Sequence, residues 1–103
     1  MDALGCFVYY ADWQKMTRDQ RWEALSGRFV EGEGLYKQVS GLIELPLNES
    51  DDRVICDMIY DRFNRGVPKE AGRSMSLGDV IVVCGAPYLC TKFGWRKLDN
   101  WTY

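Results

Sequence analysis

Residues 78–93 read GDVIVVCGAPYLCTKF, and this stretch decides the fold class. The unbroken apolar run at residues 80–84 lies between Gly78 and Gly85, as is typical of a central β-strand that is covered on both faces. Residues 85–87 predict a turn, and residues 88–93 predict a strand that returns beside the first. A short final segment then runs from Gly94 to about Trp101.

Two helices are predicted upstream of this strand pair. Thr17 and Gln20 have capping-box spacing, which predicts a helix over residues 18–30. Its stripe of Trp22, Leu25 and Phe29 predicts that Trp22 is buried. The acids at residues 51–52 begin a second helix, whose packing stripe is Val54 or Ile55 together with Met58, Ile59 and Phe63.

The remaining strands complete an α+β fold. Residues 4–10 are rich in aromatic and other β-preferring side chains and predict a first strand. Residues 35–45 predict either a strand pair or one strand with a bulge at Gly41. We therefore expect a single domain in the order β-α-β-α-β-β, with a mixed or antiparallel sheet of about four or five strands and two α-helices packed on it.

Length and composition indicate a cytoplasmic domain without cofactor or metal. The 103 residues suit one core, and the start of the chain shows no signal peptide and no membrane span. The four cysteines contain no C-x-x-C pair and there is no histidine, which disfavours a metal site. We expect reduced thiols, although Cys84 and Cys90 could face each other across the turn.

Residues 72–81, GRSMSLGDVI, resemble the YodL-like domain family. Phe63-Asn64, Pro68, Tyr88 and Gly94-Trp95 also match, and the similarity covers residues 36–98 approximately, which leaves residues 1–35 as an N-terminal strand-helix elaboration. The resemblance implies an accessory protein of a phage or conjugative element. It supplies no active site to carry over.

The Ser74 to Ile81 stretch has a structural and a functional interpretation. Structurally, Gly78 takes a positive-φ turn position, Asp79 accepts backbone N–H groups of the turn, and Ser74 and Ser76 satisfy loop amides before the strand begins. Functionally, Arg73, Ser74 and Ser76 would line a small anion site. We favour the structural interpretation.

Enzymatic activity is not expected. Nucleophilic catalysis by serine or cysteine usually requires a histidine base, and the chain contains none. A carboxylate dyad of Asp57 and Asp61 would need burial, whereas their helix is amphipathic and directs them to solvent.

The acidic residues of the second predicted helix lead to the first functional hypothesis. It is a small protein-binding inhibitor of a host defence nuclease, such as a CRISPR effector of the Cas type, in which an acidic helix face competes with nucleic acid for a positively charged channel. An ordinary solvated helix face remains the alternative interpretation. The acidic face comprises Asp51, Asp52, Asp57 and Asp61.

Two other hypotheses use different side chains. A nucleic-acid-binding module would need its basic residues to converge on one face with Trp95 for stacking, although the pI of about 5.1 weakens this hypothesis. A homodimer or exposed contact would use Trp13, Trp101 and Tyr103, which lie in a polar linker and at the chain end. The basic set comprises Arg62, Arg65, Lys69, Arg73, Lys92, Arg96 and Lys97.

Overall fold

The computed structural model describes residues 3–46, 51–66, 69 and 71–101. These residues form one six-stranded antiparallel sheet with one helix packed on each face, which confirms the α+β class. The sheet has more strands than the four or five expected. The elements in chain order are β1 (Ala3–Ala11), α1 (Arg18–Leu25), β2 (Tyr36–Gln38), β3 (Ile43–Pro46), α2 (Asp52–Arg65), β4 (Val80–Val83), β5 (Ala86–Thr91) and β6 (Gly94–Lys97).

Strand β1 organises the sheet. One of its edges pairs with β4, and the opposite edge is shared by β2, where Tyr10 faces Lys37, and by β3, where Cys6 faces Ile43. Residues 35–45 therefore contain two strands, as the first alternative predicted, but both pair with β1 and not with each other. Beyond β4 the order continues through β5 to β6. The N-terminal residues thus supply the strand around which the sheet is built.

The β4–β5 turn follows from its residues. Val83 pairs with Ala86, so Cys84 and Gly85 form a two-residue loop with φ of 48° and 88°. A type I′ turn requires positive φ at both central positions, which glycine adopts readily. Cys84 is exposed and Cys90 is buried, and both thiols are free, so they do not form the cross-hairpin pair that the sequence allowed.

Successive side chains along a strand point to opposite faces of the sheet, and apolar side chains form a core on each face. Val8, Ile81 and Val83 pack with α2 on one face, whereas Val80, Val82 and Leu89 pack with α1 and the adjoining loops on the other. All four residues of β4 are buried, as predicted for a central strand covered on both faces.

Helix α1 differs from its prediction. The capping box of Thr17 and Gln20 is present, but the helix ends at Leu25 because Gly27 takes a φ of 90°. Ala24 is its one buried residue, and Trp22 is 73% exposed. The prediction of a buried Trp22 was wrong, because the small Ala24 side chain, close to Gly78, forms the contact with the sheet.

Candidate interaction surfaces around α2 and β6

The start of α2 is fixed by two adjacent aspartates. The Asp51 side chain accepts a hydrogen bond from the Arg53 backbone N–H at 2.9 Å and caps the helix. The Asp52 carboxylate accepts a 2.7 Å bond from the hydroxyl of Tyr88 on β5. This hydrogen bond, with burial, raises the pKa of Tyr88 to about 12. Two of the four predicted acidic residues therefore also hold the helix in place.

The other two acids lie on the outer side of α2. Asp57 accepts a 2.8 Å hydrogen bond from the indole Nε1–H of Trp95, which joins the helix to β6. Asp61 is paired with Arg65 at 2.8 Å across one turn. Both aspartates are exposed, as predicted, so their charges face solvent. The Arg65 guanidinium moderates the negative potential near Asp61.

Two apolar side chains interrupt this acidic surface. Val54 is 40% exposed and Met58 is 47% exposed, one helical turn apart. The predicted stripe was wrong about Met58, because the buried stripe is centred on Ile55, Ile59 and Phe63 and includes Cys56. Met58 therefore points away from the sheet. We call the set Val54, Asp57, Met58, Asp61 and Arg65 the α2 outer patch.

The predicted anion-site residue Arg73 faces inward. Its Nη1 and Nη2 atoms lie 2.8 Å and 2.9 Å from the two carboxylate oxygens of Asp79, which is fully buried. Nη2 also donates to the carbonyl of Ala11, and the guanidinium lies 4.2 Å from the ring centroid of Tyr10. The cation of the predicted anion site is thus already paired with a carboxylate of the protein.

Asp79 completes the structural interpretation of residues 74–81. Its carboxylate accepts backbone N–H bonds from Ser76 at 2.8 Å and from Ala11 at 2.9 Å, and Gly78 has a φ of 91°. The expected roles of Gly78 and Asp79 in the turn are therefore confirmed. Burial raises the pKa of Asp79, and the hydrogen bonds and charge of Arg73 oppose that effect. Ser74 is exposed, and the Ser76 hydroxyl donates to the Leu77 carbonyl at 3.2 Å and approaches Arg73 at 3.4 Å, so its contacts are not the loop amide that was predicted.

The predicted basic set does not gather around Trp95. Trp95 and Lys97 lie on the α2 side of β6, whereas Arg96 is opposite Leu89 and donates to the Gly27 carbonyl on the α1 side. Arg62 lines a separate recess of about 310 Å³ beside residues 39–43. Arg96 instead lines a cleft of about 360 Å³ together with Arg28, and Asp99 lines the same cleft. Lys69 and Lys92 are exposed.

The predicted interface tryptophans are partly covered. Trp101 packs edge-on against Tyr9 and Tyr36, with centroid distances of 5.0 Å and 5.6 Å. Trp13 lies 5.8 Å from the Arg73 guanidinium. Tyr103 lies outside the described residues. Among the described residues, the most exposed large apolar side chain is that of Phe93, at 90%. The sequence predicted Phe93 in a strand, but it lies in the turn between β5 and β6.

The buried thiols are poor nucleophiles. Burial raises the pKa of Cys6 to about 11 and that of Cys90 to about 12, so both are protonated near neutral pH. Burial raises the pKa of Cys56 further. Among the residues that the structure describes, no group of three His, Cys, Asp or Glu side chains has a metal-binding arrangement.

Comparison with protein-family models, curated proteins and solved structures finds no match for this chain. The resemblance of residues 36–98 to YodL-like domains therefore stays a prediction from the sequence. In the described ranges, neither helix has the length and apolar character needed to cross a membrane.

Proposed function

We propose that this protein is a non-enzymatic binding protein of a phage or conjugative element that inhibits a host defence nuclease through the α2 outer patch. The observation that carries the proposal is the pairing of exposed Val54 and Met58 with exposed Asp57 and Asp61 on one helix face. Apolar side chains surrounded by polar ones are the usual composition of a protein interface. The implied mobile-element origin rests on the YodL-like resemblance.

The charge of the patch favours a basic partner surface. Asp57 is held by Trp95 and Asp61 by Arg65, so both carboxylates have fixed positions. Fixed charges lose less conformational entropy on binding than mobile ones. A positively charged nucleic-acid channel of a Cas-type nuclease in the cytoplasm has the required complementarity.

Binding to such a nuclease is the direct test. Tagged protein is used to capture partners from host lysate, with and without nuclease treatment, and a captured effector is then purified and assayed for DNA cleavage. We expect Asp61→Lys combined with Met58→Ser to weaken both capture and inhibition at least about tenfold. The matched control is Glu23→Lys, which makes the same charge change on exposed α1.

Two results would overturn the proposal. Equal inhibition by the patch variant and the wild type would exclude the α2 outer patch as the binding surface. Capture of the effector that disappears after nuclease treatment would show that nucleic acid, and not the protein surface, forms the link.

A nucleic-acid-binding module is the second candidate, and the cleft lined by Arg28 and Arg96 favours it. Phosphate contacts by these side chains would make the affinity fall steeply with salt. Fluorescence anisotropy with a labelled single-stranded oligonucleotide at low salt tests this, with Arg28→Glu as the variant. Absence of binding at low salt would remove this candidate.

A further inference from the structure

Strand β6 forms one edge of the sheet. It pairs with β5 along its inner side, and in the described part of the chain no other strand pairs with it. Gly94, Arg96 and Lys97 are exposed, and Trp95 is half-buried. An edge strand presents unpaired backbone N–H and C=O groups to which another extended chain can add.

The sheet register shows which backbone groups face outward. The Cys90 N–H donates to the Asp79 carbonyl at 2.8 Å, so the backbone polar groups of Cys90 point toward β4 and away from its β6 neighbour Trp95. Hydrogen-bonded and non-hydrogen-bonded pairs alternate along an antiparallel ladder. The Trp95 backbone groups therefore point to the free edge.

The next positions along β6 agree with this alternation. Leu98 N–H donates to the Pro87 carbonyl at 2.9 Å, which places Leu98 and Arg96 on the inner side and Lys97 on the outer side. The Trp95 carbonyl accepts a 3.2 Å bond from the Arg53 Nε–H, as an outward carbonyl can. Within the described part of the chain, the N–H groups of Trp95 and Lys97 and the Lys97 carbonyl are thus available for one added strand.

The charged side chains beside this edge determine which charge an added strand should carry. Arg53, Arg96 and Lys97 are exposed along it, and Lys92 is exposed in the preceding turn. The nearby acids are Asp57, which holds the Trp95 indole, and Asp99, which follows β6. Pairing of β6 with β6 of a second copy would bring these basic side chains together, and like charges across strands are destabilising.

We propose that β6 accepts an extended acidic peptide segment of a partner protein by strand addition. The Trp95 and Lys97 backbone would supply hydrogen bonds, and Lys97 and Arg53 would pair with acidic side chains on the face of the added strand that lies toward α2. This site differs from the α2 outer patch, so the proposal stands whether or not that patch binds a nuclease.

Amide hydrogen exchange followed by NMR is the test. The probe is a synthetic peptide that alternates valine with glutamate, and its control has lysine at the glutamate positions. We expect the glutamate peptide to slow exchange of the Trp95 and Lys97 amides at least about tenfold, because both become hydrogen-bonded, whereas the Arg96 amide is already protected. The lysine peptide should leave these rates unchanged.

Two substitutions of Lys97 separate the contribution of its backbone N–H to peptide binding from the contribution of its charge. Lys97→Pro removes the outward N–H without removing a β5–β6 hydrogen bond, and it should abolish peptide binding. Lys97→Gln keeps the N–H and should weaken binding less. If Lys97→Pro fails to fold, amide exchange of the wild-type protein still tests whether the peptide adds to β6.

Three outcomes would overturn the proposal: unchanged Trp95 and Lys97 exchange with the glutamate peptide, equal binding of the lysine peptide, or protection of these amides that rises with protein concentration alone. The last outcome would identify a second copy of the chain as the occupant.

Discussion

At the scale of single residues, Arg73 and Asp79 make the contact on which most of the loop before β4 depends. Asp79 is fully buried and accepts bonds from Arg73, from Ser76 and from Ala11 of β1. A buried carboxylate that loses its cation is left with an uncompensated charge, which is more costly than the loss of the pair itself. The pair therefore joins β1, the 71–79 loop and the start of β4.

Arg73→Ala is expected to lower the free energy of unfolding by roughly 2–4 kcal/mol, less than for a fully buried pair because Arg73 is 31% exposed. Urea denaturation followed by tryptophan fluorescence measures this. The matched control is Arg65→Ala, which breaks the exposed pair with Asp61 and should cost about 0.5 kcal/mol or less. Equal losses for the two variants would mean that the burial of Asp79 does not increase the stability contributed by its pair with Arg73.

At the scale of elements, the two sides of α2 have different roles. Ile55, Ile59 and Phe63 are at most 2% exposed and pack on the sheet. Val54 and Met58 face solvent on the other side and contribute little to that packing. The asymmetry separates the part of the helix that stabilises the fold from the part available to a partner.

Side-chain truncations on the two sides of α2 should therefore reduce the free energy of unfolding by different amounts. Ile59→Ala is expected to reduce the free energy of unfolding by about 2–5 kcal/mol, because it leaves a cavity in the core. Met58→Ala should cost about 1 kcal/mol or less, since nearly half of its side chain is already in water. Thermal melts by circular dichroism compare the two. A Met58→Ala loss as large as that of Ile59→Ala would place Met58 in the core and remove the apolar part of the α2 outer patch.

At the scale of the whole molecule, the buried titratable groups decide how stability depends on pH. Burial raises the pKa of Cys6 to about 11 and those of Tyr10 and Cys90 to about 12, and the Asp52 hydrogen bond raises that of Tyr88 to about 12. Their ordinary values are 9.0 for cysteine and 10.0 for tyrosine. The unfolded chain therefore releases these protons at lower pH than the folded protein does.

The free energy of unfolding should fall as pH rises from about 9 to about 12, because the contribution of these groups is complete below their ordinary pKa values and is lost through the raised ones. Near neutral pH it should change little, since the chain has no histidine. Urea denaturation at a series of pH values measures both regions. Tyr88→Phe should make the alkaline decline shallower; an unchanged slope would contradict the contribution of Tyr88.

Local patterns predicted most helices and strands of this protein, whereas the packing of those elements determined which side chains are exposed. The apolar run at 80–84, the capping box at Thr17 and the turn glycine Gly78 act through neighbouring residues, so the sequence was sufficient to predict them. The exposure of Trp22 and Met58 could not be derived in this way, because helical periodicity identifies a stripe but not how much of it the sheet covers.

The candidate sites depended still more on tertiary structure. Asp79 meets Arg73 within the 73–79 loop, but its burial requires β1, which lies more than sixty residues earlier in the chain. The order of the strands made β6 an edge and sent Trp95 and Arg96 to opposite faces, which divided the predicted basic set. Sequence alone therefore predicted most of the strands and helices but not the length of α1 or the number of strands. Long-range pairing decided which side chains are free to bind, since exposure is a property of the packed molecule.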